Sequence, residues 1–123
     1  NKNELPFEQM VAIIDDACSM GANEIVLTGG EPFMRDDIVA LINYIDSLQM
    51  KATIFTNGTM VSESFFESVK GKNVFMRVSL EGATEAVHDS IRGTGSYAKA
   101  TKTMQLCKDY KYDKEVEKYF KGE

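Results

Sequence analysis

A carboxylate follows two glycines and precedes a proline in Thr28-Gly29-Gly30-Glu31-Pro32, directly after the apolar run Ile25-Val26-Leu27. Glycine lacks Cβ, so the backbone can turn with positive φ and a ligand can approach it closely. Pro32 biases Glu31 away from helical backbone and toward an extended conformation. The turn therefore offers bare carbonyl oxygens and one carboxylate from a single rim. These groups accept hydrogen bonds and suit a cation such as an α-ammonium. A phosphate would require backbone N–H donors or a lysine, and the motif holds neither Lys nor Arg.

Two more apolar runs end in the same manner. Ala52-Thr53-Ile54-Phe55-Thr56 closes on Asn57-Gly58, and Val74-Phe75-Met76-Arg77-Val78-Ser79-Leu80 closes on Glu81-Gly82. In parallel α/β architectures the carboxyl ends of the strands share one edge, and ligands bind there. Glu31, Thr56, Asn57, Ser79 and Glu81 are therefore expected to converge.

Positioning them requires strands at 24–28, 52–56 and 74–80 with helices between. Phe7, Met10, Val11, Ile14, Ala17 and Cys18 give a helical stripe over 6–20. Ile38, Leu41, Ile42, Ile45 and Leu48 give a second over about 37–49, with Asp36 as its cap. Ser62 or Ser64 caps a short helix carrying Phe65, Phe66 and Val69, and Thr84 caps another through about Ile91. After the Gly93–Gly95 loop, Ser96 caps a longer helix with Tyr97, Ala100, Met104 and Cys107 on one face. The alternation α-β-α-β-α-β-α implies parallel pairing through right-handed crossovers.

The 123 residues make one domain by length, 43% hydrophobic and 27% charged. A net charge of −5 argues against nucleic-acid binding through a broad basic patch. No apolar run reaches the length of a membrane span, and the start lacks a signal-peptide pattern. Cys18 and Cys107 match no metal spacing or disulfide framework, so a cytoplasmic setting is expected. Both cysteines fall on apolar helical faces and read as core thiols. His88 reads as a helix-surface or packing residue. Arg77 in the third strand marks either an edge or a barrel-facing position.

Gly29-Gly30-Glu31-Pro32 resembles the Gly-Gly-Glu-Pro motif of radical S-adenosylmethionine (SAM) enzymes. Thr56-Asn57-Gly58 and Ser79-Leu80-Glu81-Gly82-Ala83-Thr84 resemble the ends of that family's next two strands, and Val87-His88-Asp89-Ser90-Ile91-Arg92-Gly93 the turn after them. The last two segments look most like the subgroup that modifies peptides and carries extra iron–sulfur domains. The resemblance runs from about Leu5 to Tyr110. It implies an α/β fold, a parallel sheet of about three βα units from a partial (β/α)6 TIM-like barrel. It implies SAM and a [4Fe–4S] cluster as cofactors, and a peptide or protein substrate. It places Gly29, Gly30, Glu31 and Pro32 at the methionyl ammonium, and Thr56, Asn57 and Ser79 along the methionyl and ribose side. Arg92 or Lys99 would hold the carboxylate.

Two departures from the family pattern stand out. The family's three cluster cysteines, spaced Cys-x3-Cys-x2-Cys, lie on a loop that would precede this chain's first residue. The run Lys111-Tyr112-Asp113-Lys114-Glu115-Val116-Glu117 stands where a fifth strand with an adenine contact is expected, and it is too charged for a buried strand. Residues 1–110 are therefore expected to be a partial core, units two to four. Residues 111–123 are read as a charged tail, helical through Tyr112, Val116, Tyr119 and Phe120. A cluster is not expected on this chain, which should be inactive alone. Unpaired edges at 24–28 and 74–80 are expected to favour self-association, or to be covered by the tail helix packed across an open side. The rival reading is a non-catalytic, flavodoxin-like binding module, in which the first strand would lie in the middle of the sheet.

Overall fold

The computed structural model describes residues 5–80, 84–110 and 114–118, the last through their backbone. The elements run α1 (Phe7–Ser19), β1 (Glu24–Leu27), a 3-10 turn (Pro32–Met34), α2 (Ile38–Ser47), β2 (Lys51–Thr56), α3 (Glu63–Ser68), β3 (Val74–Leu80), α4 (Glu85–Arg92), α5 (Ser96–Asp109) and β4 (Lys114–Lys118). All strands pair in parallel, in the order β1-β2-β3-β4. Each crossover lays the next strand beside the last, which is the progression of a barrel wall. It rules out the flavodoxin-like order.

The pleat sorts side chains between two faces. In β3, Val74, Met76, Val78 and Leu80 are buried, whereas Phe75, Arg77 and Ser79 are half-buried. The buried set joins Ile14, Leu41, Ile42, Ile45, Phe66 and Cys107 in one core beneath the helices. Each fully buried side chain of this size contributes about 1.5–3 kcal/mol relative to exposure. Arg77 pairs in register with Phe55 on the opposite face, its guanidinium carbon 4.7 Å from the centre of that ring. β3 is flanked by β2 and β4, so Arg77 marks the face away from the helices and not an edge.

The charged run after Tyr110 is corrected by the structure. Lys114–Lys118 is a strand, not a helix, and pairs with β3 from Met76↔Lys114 to Leu80↔Lys118. Charge argues against a strand only when both faces and both neighbours are covered; an outer strand tolerates Lys and Glu. The pairing gives the second edge of β3 its hydrogen-bond partners, so the expected exposed edge at 74–80 is absent. Glu81, Gly82, Ala83, Tyr112, Tyr119 and Phe120 lie outside the described residues.

Local caps differ in detail from the sequence reading. Asp37, not Asp36, precedes α2, and its carboxylate is held by Arg35 Nε (2.8 Å) and Nη2 (2.9 Å) without capping the helix. Ser62 precedes α3 without a side-chain cap; its hydroxyl lies 2.8 Å from that of Ser64. Thr84 caps α4 as expected, accepting from Val87 N at 3.3 Å.

Candidate functional site

A cleft of about 460 Å³ opens at the carboxyl ends of β1, β2 and β3. This is within the size range of small-molecule sites. Gly30, Glu31, Thr56, Asn57, Ser79 and Arg92 line it, so the three strand ends converge on one space. Thr28 and Phe55 line it too, and the sequence reading did not single them out. A signal for Phe55 existed: it is the last residue before Thr56 on the strand face opposite the core. Gly29 lies on the adjoining groove of about 490 Å³ beside β1, where Met10, Val26 and Met34 supply apolar wall. Pro32 is buried at the start of the 3-10 turn. Lys99 is exposed on α5 and lines neither space.

Gly29 and Gly30 adopt φ of 74° and 47°. Apart from the adjoining residues, no described protein atom lies within 4 Å of where a Cβ would stand on either. Backbone conformation, not crowding by the protein, therefore selects glycine here and leaves room for a ligand against the chain.

Glu31 is bound from two elements. Its Oε2 accepts from Phe33 N (3.1 Å) and Thr56 Oγ1 (2.7 Å), and its Oε1 from Asn57 N (2.9 Å). Thr56 Oγ1 in turn accepts from Gly58 N at 3.1 Å. Asn57 Oδ1 accepts from Thr59 N and Oγ1, closing the turn after β2. The cleft thus carries an anionic group, Glu31, and a cationic group, Arg92. That pairing suits a zwitterion such as an α-amino acid head.

Arg92 ends α4, and Asp89, one turn earlier, holds the loop that leads into α5. Asp89 accepts from Gly95 N (3.0 Å) and Tyr97 N (2.9 Å), and so caps α5 in place of Ser96. Gly95 precedes α5 in left-handed backbone, and Ser96 Oγ bonds to Gly93 O at 2.7 Å. Buried His88 packs edge-on against Tyr97, centroids 5.7 Å apart, which makes it a packing residue. The N–H groups of Gly95 and then Tyr97 hold the Asp89 carboxyl below the ordinary carboxylate value. Such a group stabilises the fold above its unfolded pKa of about 3.9, and the gain is lost as pH falls through the lower folded pKa. Acidification should therefore loosen the α4–α5 turn, and Asp89→Asn should remove this part of the acid dependence. Thermal melts of both proteins from about pH 7 to about pH 3 check it.

The cysteines do not fit a metal cluster at this cleft. Cys107 is fully buried on α5 with Sγ 3.6 Å from Met76 Sδ, and Cys18 is half-buried on α1 against the core. Neither lines the cleft, whereas an iron–sulfur cluster needs several thiolates turned toward one point.

Sequential parallel strands with a ligand-sized cleft at their carboxyl ends define a segment of a β/α barrel. A profile of the Radical SAM superfamily matches residues 1–119, and the chain belongs to that superfamily. It is 36% identical over 110 residues to the Fe-coproporphyrin III synthase of Methanosarcina barkeri, covering 88% of this chain and 27% of that enzyme. It is 33% identical over 103 residues to the mycofactocin maturase MftC of Mycobacterium tuberculosis, covering 83% of this chain and 26% of the maturase. The chain thus spans about a quarter of the length of these curated relatives. The solved structure of native anSMEcpe with bound AdoMet and Cp18Cys peptide superposes with a TM-score of 0.75 at 17% identity, over 91% of this chain and 34% of that one. That likeness establishes the fold.

Proposed function

We propose that this chain carries the methionyl side of a SAM site within a longer radical SAM enzyme. The observation that supports it is the cleft, where Glu31 and Arg92 face one small space ringed by the three strand ends. In this reading the Gly29-Gly30 turn and Glu31 accept from the α-ammonium, and Pro32 fixes the turn's exit. Arg92 donates to the carboxylate, a geometry its planar fork favours, with Ser79 beside it. Thr56 and Asn57 line the methionyl and ribose side, and Lys99 plays no part. SAM bound beside a reduced [4Fe–4S] cluster is the source of a 5′-deoxyadenosyl radical; the residues of this chain bind and orient it.

The cluster ligands come from outside these 123 residues, and the chain alone is inactive. Residues 1–110 with β4 form part of a barrel in the cytoplasm. Among the described residues no helix is long and apolar enough to cross a membrane. In isolation the chain self-associates through the outer edges of β1 and β4, the two edge strands of the described sheet.

The substrate is a peptide or protein, in line with the maturase relative and the peptide-bound structural neighbour. A second reading, formation of an iron porphyrin from a tetrapyrrole substrate, is favoured by the 36% identity to the Fe-coproporphyrin III synthase. Anaerobic reconstitution with iron and sulfide, then dithionite and SAM, tests the activity. The whole protein should release 5′-deoxyadenosine and the 123-residue chain none. Product from the chain alone would overturn its inactivity. Formation of Fe-coproporphyrin III from a tetrapyrrole precursor, with peptide left unchanged, would replace the peptide reading.

A further inference from the structure

We propose that Glu31 is a positioning strut that locks the ends of β1 and β2 together in the ligand-free protein, beyond any contact it makes with the bound cofactor. An ionised carboxylate offers about four acceptor places. Three are filled from within the chain: by Phe33 N and Thr56 Oγ1 on Oε2, and by Asn57 N on Oε1. The first donor belongs to the 3-10 turn after β1, and the other two to the end of β2, 25 and 26 residues away. Hydrogen bonds to a charged acceptor are shorter and stronger than neutral ones, and Glu31 is half-buried, which limits screening by water.

The link continues past Thr56. Its hydroxyl, buried in the sheet, donates to Glu31 and accepts from Gly58 N. Thr103 Oγ1 on α5 donates to Gly58 O at 2.5 Å. One carboxylate therefore ties the two turns that wall the cleft, at Gly29-Gly30 and at Thr56–Gly58, and Thr103 fastens the second of them to α5. An α-ammonium meeting this rim finds one acceptor place left on Glu31. Main-chain oxygens of the glycine turn supply the rest, and the strut sets where they stand. A glutamine at this position has the shape but not the chemistry, because its NH2 would turn a donor toward a donor.

The inference concerns the ligand-free protein, so it stands apart from the identity of the ligand. Amide hydrogen exchange in the whole protein without SAM tests it, comparing Glu31→Gln with the unaltered protein. The amides of Phe33 and Asn57 should exchange about tenfold faster relative to the core amides of Ile54 and Met76, tenfold corresponding to about 1.4 kcal/mol. Exchange at both amides within about twofold of the unaltered protein, which is well under 1 kcal/mol, would overturn the strut. So would a loss of SAM binding in Glu31→Gln with those amides unmoved, since Glu31 would then be a ligand contact alone. Should Glu31→Gln fail to fold, Thr56→Val should speed exchange at Gly58 and Asn57, and Thr56→Ser should restore both. No change in Thr56→Val, or no rescue by serine, would overturn the proposal. Failure of the unaltered protein to bind SAM would remove the cofactor reading while the exchange result still decides the strut.

Discussion

Arg92→Ala is expected to weaken SAM binding by the whole protein by between about tenfold and about a hundredfold. Hydrogen bonds to charged groups contribute about 1.5–3 kcal/mol, and each tenfold in affinity is about 1.4 kcal/mol. Lys99→Ala should change affinity by less than about twofold, the scale of a solvated surface charge. Arg92→Lys keeps the charge and loses the planar fork, so it should fall between the two. Calorimetric titration with SAM reads all three. A larger loss for Lys99→Ala than for Arg92→Ala would reverse the assignment.

Gly58→Ala is expected to destabilise the fold by about 2–5 kcal/mol, combining overpacking with the cost of left-handed backbone for a residue bearing Cβ. Gly58 has φ 80°, and an added Cβ would stand 3.0 Å from Ala100 Cα and 3.0 Å from Val78 Cγ1. Val78 could turn its side chain aside. Ala100 Cα is helix backbone, so α5 would have to shift and the Thr103 bond to Gly58 O would go with it. Urea unfolding measures the loss; a change below about 0.5 kcal/mol, the scale of a neutral surface substitution, would contradict the close packing.

The strand ends were legible because each is written locally: an apolar run, then glycine or a small polar residue. The grouping of Glu31, Thr56, Asn57 and Ser79 came from topology, since parallel strands must end on one edge. What Glu31 binds was not legible, because Thr56 and Asn57 reach it from the next strand and nothing in Gly-Gly-Glu-Pro announces them. Asp89 as the cap of α5 escaped for the same reason. Ser96 satisfies the local rule for a cap, while the true acceptor lies back across the Gly93–Gly95 loop. β4 escaped for a different one: its Lys and Glu side chains exclude a strand buried on both faces, but not an outer strand that needs only one paired edge. Arg77 could be placed only once register set it opposite Phe55.

The most direct test of the central claim, that the strand-end cleft holds the methionyl part of SAM, is backbone NMR of the 123-residue chain titrated with SAM. Without the cluster and the further barrel wall proposed for the whole protein, affinity should be no better than about millimolar, near −4 kcal/mol, so saturation is approached slowly. The amides of Thr28, Gly29, Gly30, Glu31, Asn57, Ser79 and Arg92 should move together along one binding curve, with those around Lys99 and Cys107 still. Shifts that leave this group unmoved, or that cluster on another face of the sheet, would contradict the account.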